Sequence, residues 1–166
     1  KKNGHGRRTM TFHIMGWRQA LLFVPEKPTL AIRILDPEPT SENCQNKAQR
    51  LQVSPLYLAI YSFQFNDIDP RQFSQFDSRE RQIYEELYPK PFTRKQAADI
   101  IAMYPRFSRT YRTMDVLIHC HMGESRSPAV GLALAERYGL MEEGMQLRSK
   151  FPKYNRFVYD TMKDIR

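Results

Sequence analysis

Residues 116–128 read Val-Leu-Ile-His-Cys-His-Met-Gly-Glu-Ser-Arg-Ser-Pro, which is the most informative segment of the chain. Its apolar start, rich in branched side chains, is typical of a buried β-strand. The strand ends at His119-Cys120, and a helical run of apolar residues follows Arg126. We therefore predict a strand, a tight loop and a helix, with Cys120 where the strand ends and Arg126 where the helix begins.

The residue types in this loop suit the binding of an anion and attack by a thiolate. A helix start presents unpaired N–H groups and a partial positive charge, and a loop curled over it adds more N–H donors. Gly123 allows the dihedral angles that such a loop needs. Arg126 offers a planar fork for two phosphate oxygens, and Ser127 places a hydroxyl near the sulfur of Cys120. The loop therefore predicts thiolate attack on a phosphoryl group.

Residues 119–127, His-Cys-His-Met-Gly-Glu-Ser-Arg-Ser, resemble the His-Cys-x-x-Gly-x-x-Arg-Ser signature of the protein tyrosine phosphatase superfamily. By size, the chain is similar to the small dual-specificity-like branch, with its bacterial and viral members. The resemblance implies a cysteinyl-phosphate intermediate at Cys120, with Ser127 assisting its breakdown, and neither a cofactor nor a metal ion. It also implies that the phosphate is held by Arg126 and by the loop residues His121, Met122, Gly123, Glu124 and Ser125. It covers residues 116–139, and more loosely reaches back to a strand at 56–65.

The resemblance also implies an aspartic acid, carried on a loop after an earlier strand, that protonates the leaving oxygen and later activates water. The predicted strand at 56–65 leads into Asn-Asp-Ile-Asp-Pro, so Asp67 and Asp69 match that position. Asp69 followed by Pro70 is also a helix-start pattern. We therefore favour Asp67 and keep Asp69 as the second candidate.

The segment from Asp67 to Cys120 is longer than in compact members of the superfamily. An insertion at about residues 71–92 would explain the extra length. The insertion also admits Asp77 as a third candidate for the acid.

Three other side chains are interpreted as supporting groups or bystanders. His119 precedes Cys120 on the strand and is expected to point to the other face, where it would orient the loop and tune the thiol rather than act as a base. Asn155 follows a Pro-Lys-Tyr segment similar to the tail of the bacterial branch, and it is either a loop support or an ordinary helix N-cap. Cys44, in a polar stretch, is a bystander or a redox partner for Cys120.

Composition and charge bound the remaining properties. The 166 residues predict a single domain, 1–166. The predicted strands together with the resemblance imply an α/β fold with a central, mostly parallel sheet and helices on both faces. The net charge of +8 favours solubility or attraction of phosphorylated substrates. Residues 1–10 predict a flexible basic arm rather than a secretory signal, and no apolar run is long enough to span a membrane. A catalytic thiolate suits a reducing compartment, so a cytoplasmic location is expected.

The pattern along the chain predicts short strands at 11–17, 18–24 and 29–35 ahead of the strand at 56–65. A helix is predicted at 70–88, and a second one opens with a capping box at Thr93 and Gln96 and closes at Pro105. Further helices are predicted at 127–138 and 141–151, with a terminal helix after them.

The predicted function is hydrolysis of phosphate monoesters, with protein phosphotyrosine as the expected substrate. An acidic Glu124 and a partly charged His121 argue against a polyanionic lipid. The alternatives are a catalytically silent module that binds phosphoproteins and a sulfurtransferase-like thiol enzyme. The basic charge leaves RNA 5′-phosphate open as a substrate, and the sequence leaves the oligomeric state open.

Overall fold

A computed structural model describes residues 9–37 and 49–166. The strands are β1 (Thr9–Gly16), β2 (Thr29–Leu35), β3 (Tyr57–Gln64) and β4 (Thr113–Cys120). A 3₁₀ helix spans Pro70–Gln75. The α-helices are α1 (Trp17–Leu22), α2 (Ser78–Leu87), α3 (Arg94–Ser108), α4 (Arg126–Arg137), α5 (Met141–Lys150) and α6 (Arg156–Lys163).

The four strands form one parallel sheet in the order β1-β4-β2-β3. The predicted α/β architecture is therefore confirmed. Because the strands are parallel, their carboxyl ends lie along one edge, and Gly16 of β1 pairs with Cys120 of β4 there. The segments that follow β2, β3 and β4 consequently start beside one another.

Side chains alternate between two cores along β4. Val116 and Ile118 point into the larger core, which is formed with α3, α4, α5 and α6. Leu117 points to the opposite face, where Ala20 of α1 and Leu51 cover the sheet. Helices therefore pack on both faces of the sheet, as predicted.

The structure corrects the prediction of a strand at 18–24, because this segment forms α1. β1 and β4 pair in register only as far as Gly16 and Cys120, where β4 turns into its loop. Beyond that point β1 has no neighbouring strand, and the backbone N–H of Trp17 donates to His121 O (3.2 Å). Short apolar runs suit either element, so tertiary pairing decides between them.

The predicted helix at 70–88 is two helices in the structure. The 3₁₀ helix ends at Gln75, and the Asp77 side chain then accepts hydrogen bonds from the N–H groups of Arg79 and Glu80 at the start of α2. A capping aspartate favours a new helix start over a continuous helix.

α3 begins with the predicted capping box of Thr93 and Gln96, but it does not close at Pro105. Proline leaves the carbonyl four residues earlier without its helical partner. The Tyr138 hydroxyl donates to that carbonyl, Ile101 O (2.7 Å). The helix therefore continues to Ser108.

Two predictions concern residues whose structure is not described. Thr9 and Met10 of the predicted basic arm belong to β1, and the rest of that prediction, residues 1–8, lies outside the described ranges. Cys44 also lies outside them. Within the described ranges, no helix combines the length and apolar character needed to cross a membrane, and no cluster of three or more acidic, His or Cys side chains is placed to bind a metal ion.

Candidate active site

The loop between β4 and α4 is pressed against the end of β1. Gly123 has a φ of 77°, and a Cβ there would lie 2.4 Å from Gly16 N and from the Met15 carbonyl carbon. Only glycine fits both the dihedral angle and this close approach. The bond from Trp17 N to His121 O holds the same side of the loop.

Two donors meet at the sulfur of Cys120. The Gly123 N–H donates to Sγ at 3.2 Å, and the Ser127 Oγ lies 3.2 Å from the same atom. Cys120 is 2% exposed and Ser127 is fully buried. An amide N–H and a hydroxyl at this distance can both donate to a sulfur anion.

The Arg126 side chain is fixed by a backbone carbonyl and a carboxylate, and the residue is 3% exposed. Its Nη1 donates to Phe65 O at 2.8 Å and pairs with Asp36 Oδ1 at 2.7 Å. Its Nε is buried and has no acceptor among the described residues. A buried N–H without an acceptor costs free energy, which a bound anion would offset.

Asp36 is a site residue that sequence reasoning missed. It directly follows β2, and its other oxygen lies 3.8 Å from His121 Nδ1. The available signal is its position, because a carboxylate that follows a strand of a parallel sheet lies at the same edge as the Cys120 loop. Phe65 O was also missed, and a backbone carbonyl leaves no signal in the sequence.

Asp67 is joined to the loop by two hydrogen bonds. Ser125 Oγ and Asn155 Nδ2 both donate to Asp67 Oδ1, each at 2.8 Å. Neither bond uses Oδ2. The structure therefore brings Asp67, which follows β3, against the loop that follows β4.

Asn155 combines the two interpretations that the sequence left open. Its Oδ1 accepts from the N–H of Val158 at 3.0 Å, which caps α6. Its backbone N–H donates to Ser125 O at 3.0 Å, and its Nδ2 donates to Asp67 and to Ile68 O. One residue thus ties the start of α6 to both Asp67 and the loop.

Asp69 and Asp77 have local structural contacts instead. Asp69 caps the 3₁₀ helix and accepts from Arg71 Nε at 2.9 Å and Nη2 at 2.8 Å. Hydrogen bonds from the Arg71 side chain lower the pKa of Asp69, so less of this carboxyl carries a proton to donate at a given pH. Asp77 forms a capping box with Glu80.

His119 faces away from the loop and accepts a hydrogen bond from Arg33, a third residue that the sequence did not reveal. Arg33 Nε donates to His119 Nε2 at 3.0 Å, so the neutral ring carries its proton on Nδ1, which lies 3.5 Å from Cys120 O. Burial, followed by the positive charge of Arg33, lowers the pKa of His119 to about 4. The imidazole is therefore neutral near pH 7. It lies on the face of the strand away from the loop, next to the backbone carbonyl of Cys120.

We expect the free energy of unfolding to fall as the pH drops from about 6.5 to about 4, because the unfolded chain binds a proton at His119 before the folded chain does. The stabilisation is complete above pH 6.5, and its loss amounts to at most about 3 kcal/mol. Urea unfolding across this range measures it. His119→Gln keeps an acceptor for Arg33 and should lack this component. An identical pH dependence in both proteins would contradict the assignment.

The other loop side chains point towards solvent to different degrees. Met122 is 68% exposed, Glu124 is exposed, and His121 and Ser125 are half-buried. The side chains of Met122 and Glu124 are therefore not packed against the rest of the loop.

Comparisons with known proteins leave the chain without an assigned family. No family model matches the chain, and no curated protein matches it. Among solved structures, it is similar to the crystal structure of Tk-PTP in the active form, with 17% sequence identity and a TM-score of 0.45 over 96% of this chain and 91% of that chain. Likeness at this level carries no argument about chemistry, so the conclusions below depend on the geometry of the site.

Proposed function

We propose that this chain is a cysteine-dependent phosphatase that hydrolyses phosphate monoesters, with protein phosphotyrosine as its substrate. The observation that carries the proposal is the convergence of the Gly123 N–H and the Ser127 hydroxyl on Cys120 Sγ, in a loop whose Arg126 keeps a buried Nε without an acceptor in the described part of the chain. These groups supply a nucleophile and an anion-binding site within one loop, residues 120–127.

In the first step, the Cys120 thiolate attacks phosphorus and the ester P–O bond breaks. Arg126 and the backbone N–H groups of the loop hold the non-bridging oxygens and stabilise the charge of the transition state. The protonated Asp67 carboxyl gives its proton to the leaving oxygen, and the product alcohol departs. A cysteinyl-phosphate remains on the enzyme.

In the second step, water attacks the phosphorus of the cysteinyl-phosphate and gives a proton to the Asp67 carboxylate. The S–P bond breaks, the sulfur leaves as a thiolate, and inorganic phosphate is released. The Ser127 hydroxyl, 3.2 Å from Sγ, donates to the sulfur as negative charge returns to it. The enzyme is then ready for another cycle, with Asp67 protonated again.

Asp36, Asn155 and His119 act through other residues. Asp36 fixes one end of the Arg126 guanidinium, so the fork does not have to be ordered when substrate binds. Asn155 holds Asp67 against the loop. His119, held by Arg33, supports the backbone at Cys120.

The surroundings of Asp67 support an aryl phosphate as the substrate. The surface next to Asp67 and Ser125 is bordered by Phe73, Phe76 and Tyr154. Aromatic walls favour the ring of phosphotyrosine over the short, polar arm of phosphoserine.

Hydrolysis of p-nitrophenyl phosphate in the presence of EDTA tests the proposal. We expect turnover that vanadate blocks, because vanadate resembles the five-coordinate phosphorus of the transition state. A folded protein that binds phosphopeptides without turnover would be a binding module. Transfer of sulfur from thiosulfate in place of phosphate release would make it a sulfurtransferase.

Replacing Asp67 with Asn is expected to lower kcat for phenyl phosphate by roughly 10²–10⁴-fold, because the leaving oxygen loses its proton donor. The loss should be smaller for p-nitrophenyl phosphate, since p-nitrophenolate is a weaker base and leaves with less help. Steady-state kinetics on both esters measure the difference. An equal loss on both would mean that Asp67 only holds the loop.

Asp69→Asn is the matched variant for this experiment. Asn keeps an oxygen that can cap the 3₁₀ helix, and the contacts of Asp69 are with Arg71 rather than with the loop. Its kinetics should therefore stay close to those of the unmodified protein. A large, leaving-group-dependent loss in Asp69→Asn instead would transfer the role of the acid from Asp67 to Asp69.

A further inference from the structure

A groove opens beside the catalytic loop, between the 3₁₀ helix and α2 on one side and the start of α6 on the other. Phe73, Phe76, Tyr84 and Tyr88 form one wall, and Tyr154 and Arg156 form the other. We call this feature the aromatic groove. Its inner end is formed by residues that already belong to the site, namely Asp67, Ser125 and Asn155.

The rings of the first wall stack on one another instead of entering the core. Phe76 and Tyr84 lie 4.7 Å apart between ring centroids, and Phe73 and Tyr88 lie 5.7 and 6.1 Å from Tyr84. No residue of α2 is buried, and Tyr84 and Tyr88 are 39% and 40% exposed. A row of exposed aromatic side chains beside a catalytic loop indicates a binding surface.

The charges of the groove favour a peptide over a nucleic acid. α2 carries three glutamates and two arginines, so this wall is not basic. Asp67, Asp69 and Arg156 line the groove, and Asp69 is paired with Arg71 at 2.8 Å, so the lining carries no run of positive charge. A strand of phosphates needs a run of positive charge along its path, whereas a peptide with an apolar side chain does not.

The groove is continuous with the place where the phosphoryl group would be bound. Ser125 of the loop and Asp67 are hydrogen-bonded to each other, and both line the inner end of the groove. A residue whose phosphate sits in the loop would therefore place its neighbours in the chain along these walls.

We infer that the aromatic groove binds a bulky apolar side chain that flanks the phosphorylated residue, so that the substrate is a phosphorylated protein segment with such a neighbour. This inference depends on the proposed function and adds a sequence preference to it. The flanking side chain packs against Tyr84 and Tyr88 and is removed from water there.

Kinetics on two sets of phosphotyrosine peptides test the inference. Each peptide carries the tested residue either just before or just after phosphotyrosine. That residue is Leu in one set and Ser in the other, and the peptides are otherwise identical. We expect kcat/KM to be roughly tenfold higher for a Leu peptide, as one apolar contact in a partly open groove allows. The double variant Tyr84→Ala/Tyr88→Ala should lose this preference and keep its activity on p-nitrophenyl phosphate, which has no flanking residue to place against Tyr84 and Tyr88.

Ile83→Ala and Leu87→Ala are the matched controls. Both side chains lie on α2, they are 46% and 57% exposed, and neither lines the groove. Both variants should keep the preference for Leu. If they lose it as the double variant does, the effect belongs to α2 as a whole, and the groove assignment is overturned.

The remaining outcomes separate the inference from the proposed function. Turnover of p-nitrophenyl phosphate without any preference between the peptides overturns the inference about the groove but not the proposed phosphatase activity. If a 5′-phosphorylated oligonucleotide is hydrolysed faster than the peptides, and the double variant loses this advantage, the groove binds nucleic acid. That result overturns the inference of a peptide substrate. If p-nitrophenyl phosphate is not hydrolysed, the proposed function fails. Fluorescence anisotropy with the same peptides then tests the groove, because equal affinities for the Leu and Ser peptides would overturn the inference that it binds an apolar side chain.

Discussion

Replacing Cys120 with Ser is expected to reduce the hydrolysis of p-nitrophenyl phosphate to background, a loss on the order of 10⁵-fold or more. A serine hydroxyl is a weak nucleophile unless a base removes its proton. In the part of the chain that the structure describes, the hydrogen-bond partners of Sγ are the Gly123 N–H and the Ser127 hydroxyl, and neither is a base. His119 cannot serve either, because it lies on the other side of the strand and accepts its hydrogen bond from Arg33.

The Cys120→Ser protein should still bind phosphate esters, because the loop backbone and Arg126 are unchanged. Binding of a fluorescent phosphotyrosine peptide, together with circular dichroism, separates loss of chemistry from loss of fold. Met122→Ala is a matched control within the same loop, since the Met122 side chain is largely exposed. Substantial turnover by Cys120→Ser would rule out the cysteinyl-phosphate intermediate.

Replacing Arg126 with Lys is expected to lower kcat/KM by about 10³-fold, although the positive charge is kept. The planar guanidinium contacts Phe65 O and Asp36 through Nη1 and leaves Nε available to the anion. An ammonium group is a single point charge and cannot pair with Asp36 and hold two phosphate oxygens in a fork at the same time. The variant should therefore lose more stabilisation of the transition state than affinity for the substrate.

The affinity for vanadate distinguishes this explanation from a general disturbance of the loop. If Arg126 stabilises the transition state, the inhibition constant for vanadate should rise together with the fall in kcat/KM. An unchanged inhibition constant would mean that Arg126 acts through the fold instead. Because Arg126 is buried and bonded to Phe65 O, thermal unfolding of the variant must be measured alongside the kinetics.

The elements with strong local patterns could be predicted from the sequence. The strand predicted at 29–35 is β2, and the strand, loop and helix predicted around Cys120 are β4, the Cys120 loop and α4. β2 is buried throughout and β4 is buried from Met114 to Cys120, so the apolar pattern of the two strands is nearly continuous. α1 was missed because six residues with a mixed pattern suit a strand equally well.

The composition of the Cys120 loop could be predicted without any tertiary information. Cys120, Gly123, Arg126 and Ser127 lie within eight consecutive residues, so the turn that joins β4 to α4 is enough to bring them together. The positive φ of Gly123 is a requirement of that turn, and glycine meets it without strain. Such local chemistry can be predicted because no distant part of the chain has to be placed first.

The contacts of the groups around the loop depend on tertiary packing. Asp36 and Asp67 come from the ends of two other strands, and Asn155 comes from the start of α6. The sequence made Asp67 and Asn155 candidates, but the spacing of these residues along the chain does not show which atoms of the loop they contact. The parallel sheet aligns the carboxyl ends of its strands at one edge, and α6 packs against α4. Long-range packing of strands and helices therefore selected these partners.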